Sequence, residues 1–380
     1  MVNEKRLTNE FIELVKIDSL SRQERKVADV LKAKLSALGL EVVEDEAGSK
    51  TGGTAGNIIG RLPGKAEGPA IMFSAHMDTV EPGIGIQPVL KDGVFYSAGD
   101  TILGSDNKAG ICSILEALRV IAEEGLPHPE IEVVFTIIEE QGLLGAKNLD
   151  YGMLKAAHGY VLDSHGSAGT IIVRGPAQQK VEVHIRGRAA HAGLCPEEGI
   201  SAIQVAALAI NRMKLGRIDE ETTANIGVIT GGKAINIVPD MVHLKGEARS
   251  LQPGKMREQT EHMKRVLEEA AREFEAMVSV EIEDLYPEID LGEDQAVVAA
   301  AVRAARNLGL EPKLEATGGG SDANIFNGQG IPVANLGIGM NKVHTTEENI
   351  AVADLVLNVR YVVEIIKESV KMLRVIPSST

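Results

Sequence analysis

The sequence predicts an α/β domain with a mixed, mostly parallel sheet flanked by helices, interrupted by an inserted α+β domain. The α/β prediction rests on near-continuous apolar runs that alternate with helical segments, a pattern typical of strands covered on both faces. The inserted domain is indicated by a change, near residue 180, to alternating apolar and polar residues. The predicted boundaries are 1–177 and 287–380 for the first domain and 178–286 for the second.

In the first domain, amphipathic patterns predict helices over 7–17, 22–38, 108–124, 296–308 and 352–372. Gly39 and Gly125 follow the second and third of these, where glycine commonly ends a helix. Buried strands are predicted for the apolar runs at 70–75, 131–138, 159–162 and 333–338. Because such strands lie in the interior of a parallel sheet, the flanking helices are expected to cover both of its faces.

In the second domain, alternating patterns predict strands with one face in water, at 180–189, 222–230, 241–250 and 277–285. Helical patterns cover 201–215 and 255–274. The resulting order is β-α-β-β-α-β, which is the ferredoxin-like arrangement of two helices on one antiparallel sheet.

Composition excludes several classes of function. The chain has 380 residues with a formal net charge of −15, which argues against nucleic acid, because that affinity depends on Lys and Arg. Aromatic residues are 3% with no Trp, and no apolar stretch approaches the ~20 residues that span a bilayer. The two cysteines, Cys112 and Cys195, lack CxxC spacing, so a thiolate metal site or disulfide framework is not expected. We therefore expect a cytoplasmic protein without nucleic-acid or membrane partners.

Acidic residues and histidines stand at or soon after the ends of several predicted buried strands. In chain order this set is His76, Asp78, Asp106, Glu139, Glu140, Asp163 and His344. In open α/β sheets, ligands bind beyond the carboxyl ends of the strands. Five carboxylates in one crevice would either raise one another's pKa values or recruit cations. The constellation therefore predicts a centre for two divalent metal ions.

The motifs SAHMDTV, DNKAG, EEQGLLGA, GRAAHAG and HTTEEN, in this order, resemble those of the dinuclear zinc exopeptidases related to peptidase T, carboxypeptidase G and the aminoacylases. The resemblance covers nearly the whole chain and is strongest to peptidase T-like proteins. It implies a zinc-exopeptidase-like catalytic domain, and it implies that the inserted domain acts as a lid and as a dimerisation surface. It also implies a homodimer that pairs through this lid domain.

The resemblance assigns metal ligation to five residues: His76, Asp106, Glu140, Asp163 and His344. Asp106 would bridge two metal ions, and relatives often have a cis peptide bond directly after this aspartate. Imidazole and carboxylate ligands suit Zn²⁺, with Mn²⁺ or Co²⁺ as alternatives. By itself the sequence leaves His165 open as an alternative ligand to Asp163, and Asp106 open as a helix cap.

Two further carboxylates are implied to act at the reaction centre. Glu139 would be the general base for the metal-bridging water and would pass its proton to the leaving amine. Asp78 lies two residues after His76, so that its carboxylate is expected to accept the second ring N–H of that histidine. The chain departs from the family pattern at Asn107, where a second aspartate is common, and at Gln141, where an apolar residue is common.

Five residues are implied to contact substrate. His191 in GRAAHAG matches a lid histidine that stabilises the tetrahedral oxyanion, in the same subunit or in a partner. Arg249 resembles the family's anchor for a substrate carboxylate or carbonyl. Asn236 is a candidate polar contact, and Gly320 and Ser321 belong to the glycine-rich TGGGSDAN loop. Alternative interpretations are an exposed loop histidine, a surface ion pair and simple turn chemistry.

The sequence thus predicts a metal-dependent exopeptidase that acts on short peptides, specifically an aminopeptidase on tripeptides. A first alternative is an N-acyl amino acid deacylase or carboxypeptidase of the same fold, with the same chemistry and a different pocket. A second alternative, from another class, is a binding protein that kept the fold and lost catalysis. The complete set of ligands and the intact base argue against this last alternative.

Overall fold

The computed structural model describes residues 1–371 and divides the chain into two compact units. The first unit contains Met1–Val173, Asp290–Ala316 and the chain from Ser321 onward. The second contains Arg174–Ile289 and the short segment Thr317–Gly320. That segment lies inside the range predicted for the first domain, and its backbone explains the difference, because the Thr317 amide donates to the Arg174 carbonyl oxygen at 2.9 Å.

The helices of this part of the chain, in order, are α1 Glu4–Val15, α2 Arg25–Ala37, α3 Ala47–Thr51, α4 Ser105–Glu124, α5 Leu144–Asn148, α6 Ala202–Arg212, α7 Pro253–Glu273, α8 Ala296–Asn307, α9 Asp322–Gly328 and α10 Val352–Lys371. The strands are β1 Glu41–Glu44, β2 Ile58–Leu62, β3 Ile71–His76, β4 Pro88–Lys91, β5 Val94–Ser97, β6 Ile131–Thr136, β7 His158–Ser164, β8 Thr170–Gly175, β9 Ala177–Arg186, β10 Gly216–Arg217, β11 Thr222–Gly231, β12 Met241–Ser250, β13 Met277–Tyr286, β14 Ile289–Asp290, β15 Lys313–Ala316, β16 Val333–Gly337 and β17 Asn349–Ala351. The helix predicted for 352–372 therefore matches α10 up to its last residue, which lies outside the described residues.

The main sheet of the first unit has the strand order β1-β2-β6-β3-β7-β16-β8-β14, with β15 also paired to β8. Its centre is parallel, because β3 pairs in parallel with β6 and β7, and β7 pairs in parallel with β16. The pairs β1–β2, β2–β6 and β8–β16 are antiparallel. The predicted fold class, a mixed and mostly parallel sheet flanked by helices, is confirmed.

The central strands are apolar on both faces because helices cover both faces. Every residue of β3 and β6 is buried, and the Phe73 and Tyr160 rings of neighbouring strands stack at a centroid distance of 5.7 Å. Helix α4 packs against β3 and β7, where Gly110 permits the approach. A Cβ at Gly110 would lie 2.6 Å from the Leu162 carbonyl oxygen, so only glycine fits this contact.

The second unit is built on a five-stranded antiparallel sheet with the order β10-β11-β12-β9-β13. Without the short β10, this is the strand order of the ferredoxin-like arrangement that the sequence predicts. Helices α6 and α7 pack on one face and enclose a core that includes Val181, Val183, Ile185, Leu244 and Leu267. Burial along β9 alternates from residue 179 onward, because the opposite face of the sheet is open.

A small three-stranded sheet of β4, β5 and β17 was not predicted from the sequence. Its strands are three or four residues long, too short for a periodic pattern to stand out. Among the described residues, no helix is both long and apolar enough to cross a membrane.

Candidate metal centre

The candidate site lies at the carboxyl ends of the central parallel strands of the first unit. His76 is the last residue of β3 and pairs in register with Thr136, the last residue of β6. Asp163 lies one residue before the end of β7. Glu139 comes three residues after β6, because the chain turns at Ile138, which has a positive φ of 49°. The run predicted as one strand over 131–138 therefore ends early and turns the two glutamates towards the site.

Asp106 lies between two histidines that are far apart in the sequence, His76 and His344. The His76 Nε2 atom is 2.9 Å from Asp106 Oδ1, and the His344 Nε2 atom is 3.3 Å from Asp106 Oδ2. Each carboxylate oxygen thus faces a different imidazole, which is the arrangement expected of a carboxylate that bridges two cations. The peptide bond between Asp106 and Asn107 is cis, as the resemblance implied.

The other predicted ligands complete two neighbouring groups. Asp163 Oδ1 lies 3.6 Å from His76 Nε2, and Glu140 Oε1 lies 2.9 Å from His344 Nε2. One donor atom from each of His76, Asp106 and Glu140 lies within 4.8 Å of the others. Imidazole and carboxylate donors this close together suit a borderline divalent ion such as Zn²⁺. The residues present therefore fit the metal ions that the sequence predicts.

The electrostatics of the cluster depend on burial and on neighbouring charges. Burial opposes the ionised form of Asp106, but hydrogen bonds from His344 and His76 lower its pKa. Hydrogen bonds to Asp106 and Glu140 raise the pKa of His344 to about 10. Burial and the charge of Asp106 raise the pKa of Asp163 to about 8. Protons and divalent ions compete for these atoms, because a metal ligand must be deprotonated.

Glu139 is buried among charged neighbours. Burial raises its pKa well above the ordinary value, and the charges of Asp163 and Asp322 add to the effect, while His76 opposes it. A carboxylate with a raised pKa is a stronger base than a solvated one, which suits proton abstraction near neutral pH.

Asp78 holds the backbone that carries both glutamates. Its Oδ1 accepts from the Glu139 amide at 3.0 Å, and its Oδ2 accepts from the Glu140 amide at 3.2 Å and from the Ser21 hydroxyl at 2.7 Å. The expected contact of this carboxylate with His76 is longer, since Asp78 Oδ1 lies 3.4 Å from His76 Nδ1. The nearer partner of that ring nitrogen is the Asp78 carbonyl oxygen at 2.9 Å, because the Asp78 carboxylate already accepts hydrogen bonds from the Glu139 and Glu140 amides.

A second buried carboxylate supports the same turn and was not predicted. Glu24 Oε1 accepts from the amides of Ile138, at 3.1 Å, and Arg22, at 2.8 Å. Burial, together with the charge of Asp78, raises the pKa of Glu24 to about 7. Arg22 also donates from Nε to the Gln141 side-chain oxygen at 3.1 Å, which gives the unusual Gln141 a partner.

Glu348 joins the loop that carries His344 to the loop that carries Asp106. One oxygen accepts from the amides of Leu103 and Gly104, both at 2.8 Å. The other accepts from the Ser105 hydroxyl at 2.6 Å and from the Asp106 amide at 3.0 Å. This buried carboxylate therefore positions the candidate bridging aspartate from a segment more than 240 residues away in the chain.

The structure brings Asp163, and not its alternative His165, towards the other predicted ligands. His165 is exposed and lies 3.3 Å from Glu315, whereas Asp163 accepts from the Asn107 side chain at 2.9 Å. Asn107 thus uses its amide nitrogen to orient a candidate ligand, a contact that an ionised aspartate could not donate. The residue that departs from the family pattern therefore has a defined hydrogen-bond partner, Asp163.

The glycine-rich loop contributes a buried carboxyl that was not predicted. Asp322 accepts from the Thr136 hydroxyl at 2.5 Å, and its other oxygen, Oδ1, is buried and has no hydrogen-bond partner among the described residues. Burial raises the pKa of Asp322 to about 6. The hydroxyl of Ser321, a predicted substrate contact, accepts a hydrogen bond from the Asn335 side chain. The side-chain oxygen of Asn335 in turn accepts from the Asp163 amide.

In the second unit, His191 is exposed, and its Nδ1 accepts from the amides of Gly193 and Leu194, both at 3.2 Å. An accepting Nδ1 assigns the proton to Nε2, so the exposed side of the ring is a hydrogen-bond donor. The Asn236 carbonyl oxygen accepts from the Ala192 amide at 3.0 Å, which fixes the loop of Asn236 beside His191.

Arg249 and Gly320 also lie in the second unit. The Arg249 fork donates from Nε and Nη2 to the two oxygens of Glu247, each at 3.0 Å. Gly320 lies against Tyr286, and a Cβ at Gly320 would be 2.3 Å from the tyrosine Cζ. A side chain at residue 320 would therefore require the Tyr286 ring to shift.

Membership of a motif could have revealed three of the four supporting residues. Glu348 lies inside HTTEEN and Asp322 inside TGGGSDAN, so both belong to motifs that were already singled out. Lys108, in DNKAG, is buried and donates to the Ser19 hydroxyl at 2.8 Å and to the Met77 carbonyl oxygen at 2.6 Å. Glu24 has no motif, and only its distant backbone partners reveal it.

Comparisons with known proteins agree over nearly the full length. A family model described as Peptidase family M20/M25/M40 matches residues 72–368. The protein YqjE of Bacillus subtilis is 49% identical over 371 residues, covering 98% of this chain and 100% of that protein. The aminopeptidase PepT of Bacillus cereus is 48% identical, with a TM-score of 0.91, covering 97% of this chain and 99% of its own. A tripeptidase of Staphylococcus aureus is 45% identical, with a TM-score of 0.95, covering 98% and 100%.

Proposed function

The chain belongs to peptidase family M20/M25/M40, and from that premise we propose that it is a two-metal aminopeptidase that releases the first residue of tripeptides. The observation that carries the proposal is Asp106, whose two oxygens face His76 and His344 at 2.9 and 3.3 Å. The specificity draws on the two similar proteins described as an aminopeptidase and a tripeptidase.

The proposed ligands are His76, Asp106, Glu140, Asp163 and His344. Bound divalent ions, for which we propose Zn²⁺, would polarise the scissile carbonyl and make water more acidic. Manganese or cobalt would be compatible with the same donors, since the set mixes imidazole with carboxylate.

Glu139 is the proposed general base. Its raised pKa favours uptake of the proton from the attacking water, and the same carboxyl can then deliver that proton to the leaving amine. Asp78 assists by holding the amides of Glu139 and Glu140, which keeps the base from turning away. The division of labour suits adjacent residues, because one glutamate supplies a ligand and the other moves the proton.

His191 is the proposed donor to the oxyanion, supported by the assignment of its proton to the exposed Nε2. Arg249 is the proposed anchor for a substrate carboxylate or carbonyl. This role requires that its guanidinium release the Glu247 carboxylate and donate its hydrogen bonds to the substrate instead. Asn236, Gly320 and Ser321 are proposed to border the peptide. We further propose that the protein is a cytoplasmic homodimer that pairs through the second unit. We also propose that this unit acts as a lid.

The experiment that tests the activity offers a mixed pool to the zinc-loaded protein and follows it by mass spectrometry. The pool contains free tripeptides, the same peptides N-acetylated, and N-acyl amino acids. Loss of the first residue from the free-amine peptides alone supports the proposal. Release of acyl groups would instead identify a deacylase, and loss of the last residue a carboxypeptidase.

The role of Glu139 is tested by Glu139→Gln, which keeps the shape of the side chain and removes its basicity. We expect zinc content within error of the wild type and a fall in kcat of about 10²–10⁴-fold, the usual contribution of general acid–base catalysis. Zinc per chain and kcat are measured on the same preparation. Wild-type turnover in the variant would contradict the mechanism, and loss of zinc would make Glu139 a ligand.

A further inference from the structure

A second cluster of metal-binding residue types lies in the second unit, on the open face of its five-stranded sheet. His184 on β9 and His243 on β12 are directly opposite each other in the antiparallel register. Glu182 lies two residues before His184, so that its side chain projects from the same face. The intervening Val183 is fully buried and points to the other face, which α6 and α7 cover.

The three side chains lie close together. The His184 and His243 rings are stacked, with centroids 4.5 Å apart and an interplanar angle of 2°. The His243 Nε2 atom lies 2.8 Å from Glu182 Oε1. One nitrogen or oxygen donor from each of the three residues lies within 4.8 Å of the others. Two imidazoles and a carboxylate on one face of the sheet form a three-donor set, of which His184 is exposed and the other two residues are half-buried.

We propose that Glu182, His184 and His243 bind a divalent transition-metal ion, distinct from the metal centre of the first unit. Imidazole selects ions such as Zn²⁺, Ni²⁺ and Cu²⁺, whereas Mg²⁺ and Ca²⁺ require more oxygen donors than this cluster offers. Two histidines with one glutamate is also a donor set that catalytic zinc sites use, with solvent in the fourth position.

Two lysines border the cluster and set its affinity. Lys180 Nζ lies 2.6 Å from Glu182 Oε2, and Lys245 Nζ lies 3.9 Å from Glu182 Oε1. Lys180 therefore holds one carboxylate oxygen and leaves Oε1, the oxygen that faces His243, for the metal ion. Both ammonium groups repel a cation at this distance, so they weaken the site. This repulsion provides a direct test, because removing Lys180 must strengthen binding.

Binding would join two neighbouring strands whose ligands are 61 positions apart in the chain. Cross-strand side chains in direct register are already held close by the backbone ladder, so little ordering is needed to bring the donors together. The inference does not depend on the proposed peptidase activity, because all three residues lie outside the proposed catalytic machinery.

The test is equilibrium dialysis of the full-length protein against Zn²⁺, followed by measurement of zinc per chain. We expect His184→Ala and His243→Ala each to bind one zinc ion fewer than the wild type, with tripeptide turnover unchanged. His262→Ala is the matched control, since His262 is a half-buried histidine of the same unit outside the cluster, and it should bind as much zinc as the wild type.

A second variant separates a built site from general surface binding. Lys180→Met should bind the additional zinc ion at least ~10-fold more tightly, a change that corresponds to 1.4 kcal/mol. Equal zinc content in the wild type and His243→Ala would overturn the proposal. An equal loss in His262→Ala, or an unchanged affinity in Lys180→Met, would also overturn it, because binding would then be unspecific.

Discussion

The two large sheets of this protein differ in how many of their faces are covered by helices, and they therefore carry their candidate functional side chains in different places. The sheet of the first unit is covered on both faces, and every residue of β3 and β6 is buried. The sheet of the second unit is covered on one face, and burial alternates along β9 from residue 179 to its end. A doubly covered sheet can offer reactive side chains only at its strand ends, whereas a half-open sheet can offer them along its length.

The strongest test of this comparison concerns neighbouring residues within a strand. In β3, both Met72→Ala and Phe73→Ala should destabilise the protein, by about 2–5 and 3–5 kcal/mol, because both side chains are buried. In β12, Leu244→Ala should cost about 2–5 kcal/mol, while Lys245→Ala should change stability by less than about 0.5 kcal/mol. Urea unfolding of the four variants measures these differences. A large loss in Lys245→Ala would break the comparison.

A second test uses a histidine buried at the start of β7. Burial lowers the pKa of His158 from 6.5 to about 4, so the folded chain takes up this proton only in more acidic solution than the unfolded chain does. Its contribution to stability is complete above pH 6.5 and is lost as the pH falls towards 4, a loss of about 3 kcal/mol. The free energy of unfolding of His158→Gln should therefore fall less between pH 7 and pH 4 than that of the wild type.

The control for this experiment is His165→Gln, because His165 follows the same strand and is exposed. This variant shows any general effect of replacing a histidine by glutamine in this part of the chain. If His158→Gln also followed the wild-type curve, burial in the covered sheet would not be the source of the acid sensitivity.

A third test concerns the loops at the strand ends. Glu348→Ala removes four hydrogen bonds from residues 103–106 and should lower metal affinity, or kcat/KM for tripeptides, by about 10–100-fold. Glu347→Ala is the matched control, because Glu347 is exposed and pairs only with the exposed Lys342 in the described contacts. Equal activity of the two variants would show that the carboxylate of Glu348 has no positioning role.

Much of the fold was predictable, because burial on both faces or on one face leaves a distinct apolar pattern. Strand β12 was predicted to the residue, and α8 to within one residue of its end. The errors lie where the backbone turns for reasons outside the pattern. Ile138 is apolar and buried, which fits the predicted strand over 131–138, yet the strand ends at Thr136 and Ile138 has a positive φ.

The candidate site was predictable to the extent that its residues follow strands. The supporting carboxylates were not, since a hydrogen bond between Glu24 and the Ile138 amide joins segments 114 residues apart. No local pattern encodes such a partner. The cluster around His184 shows the opposite case, in which alternation predicts exposure on one face but not that the His243 ring lies opposite in register.

The second unit consists of two separate segments, Arg174–Ile289 and Thr317–Gly320. The chain therefore passes between the two units four times. An exchange of residues 174–289 between relatives would therefore not transfer a complete module. Gly320 would come from one relative and Tyr286, against which it packs, from the other. Chimaeras designed to move substrate preference from one relative to another must carry both segments, and recombination in nature faces the same restriction.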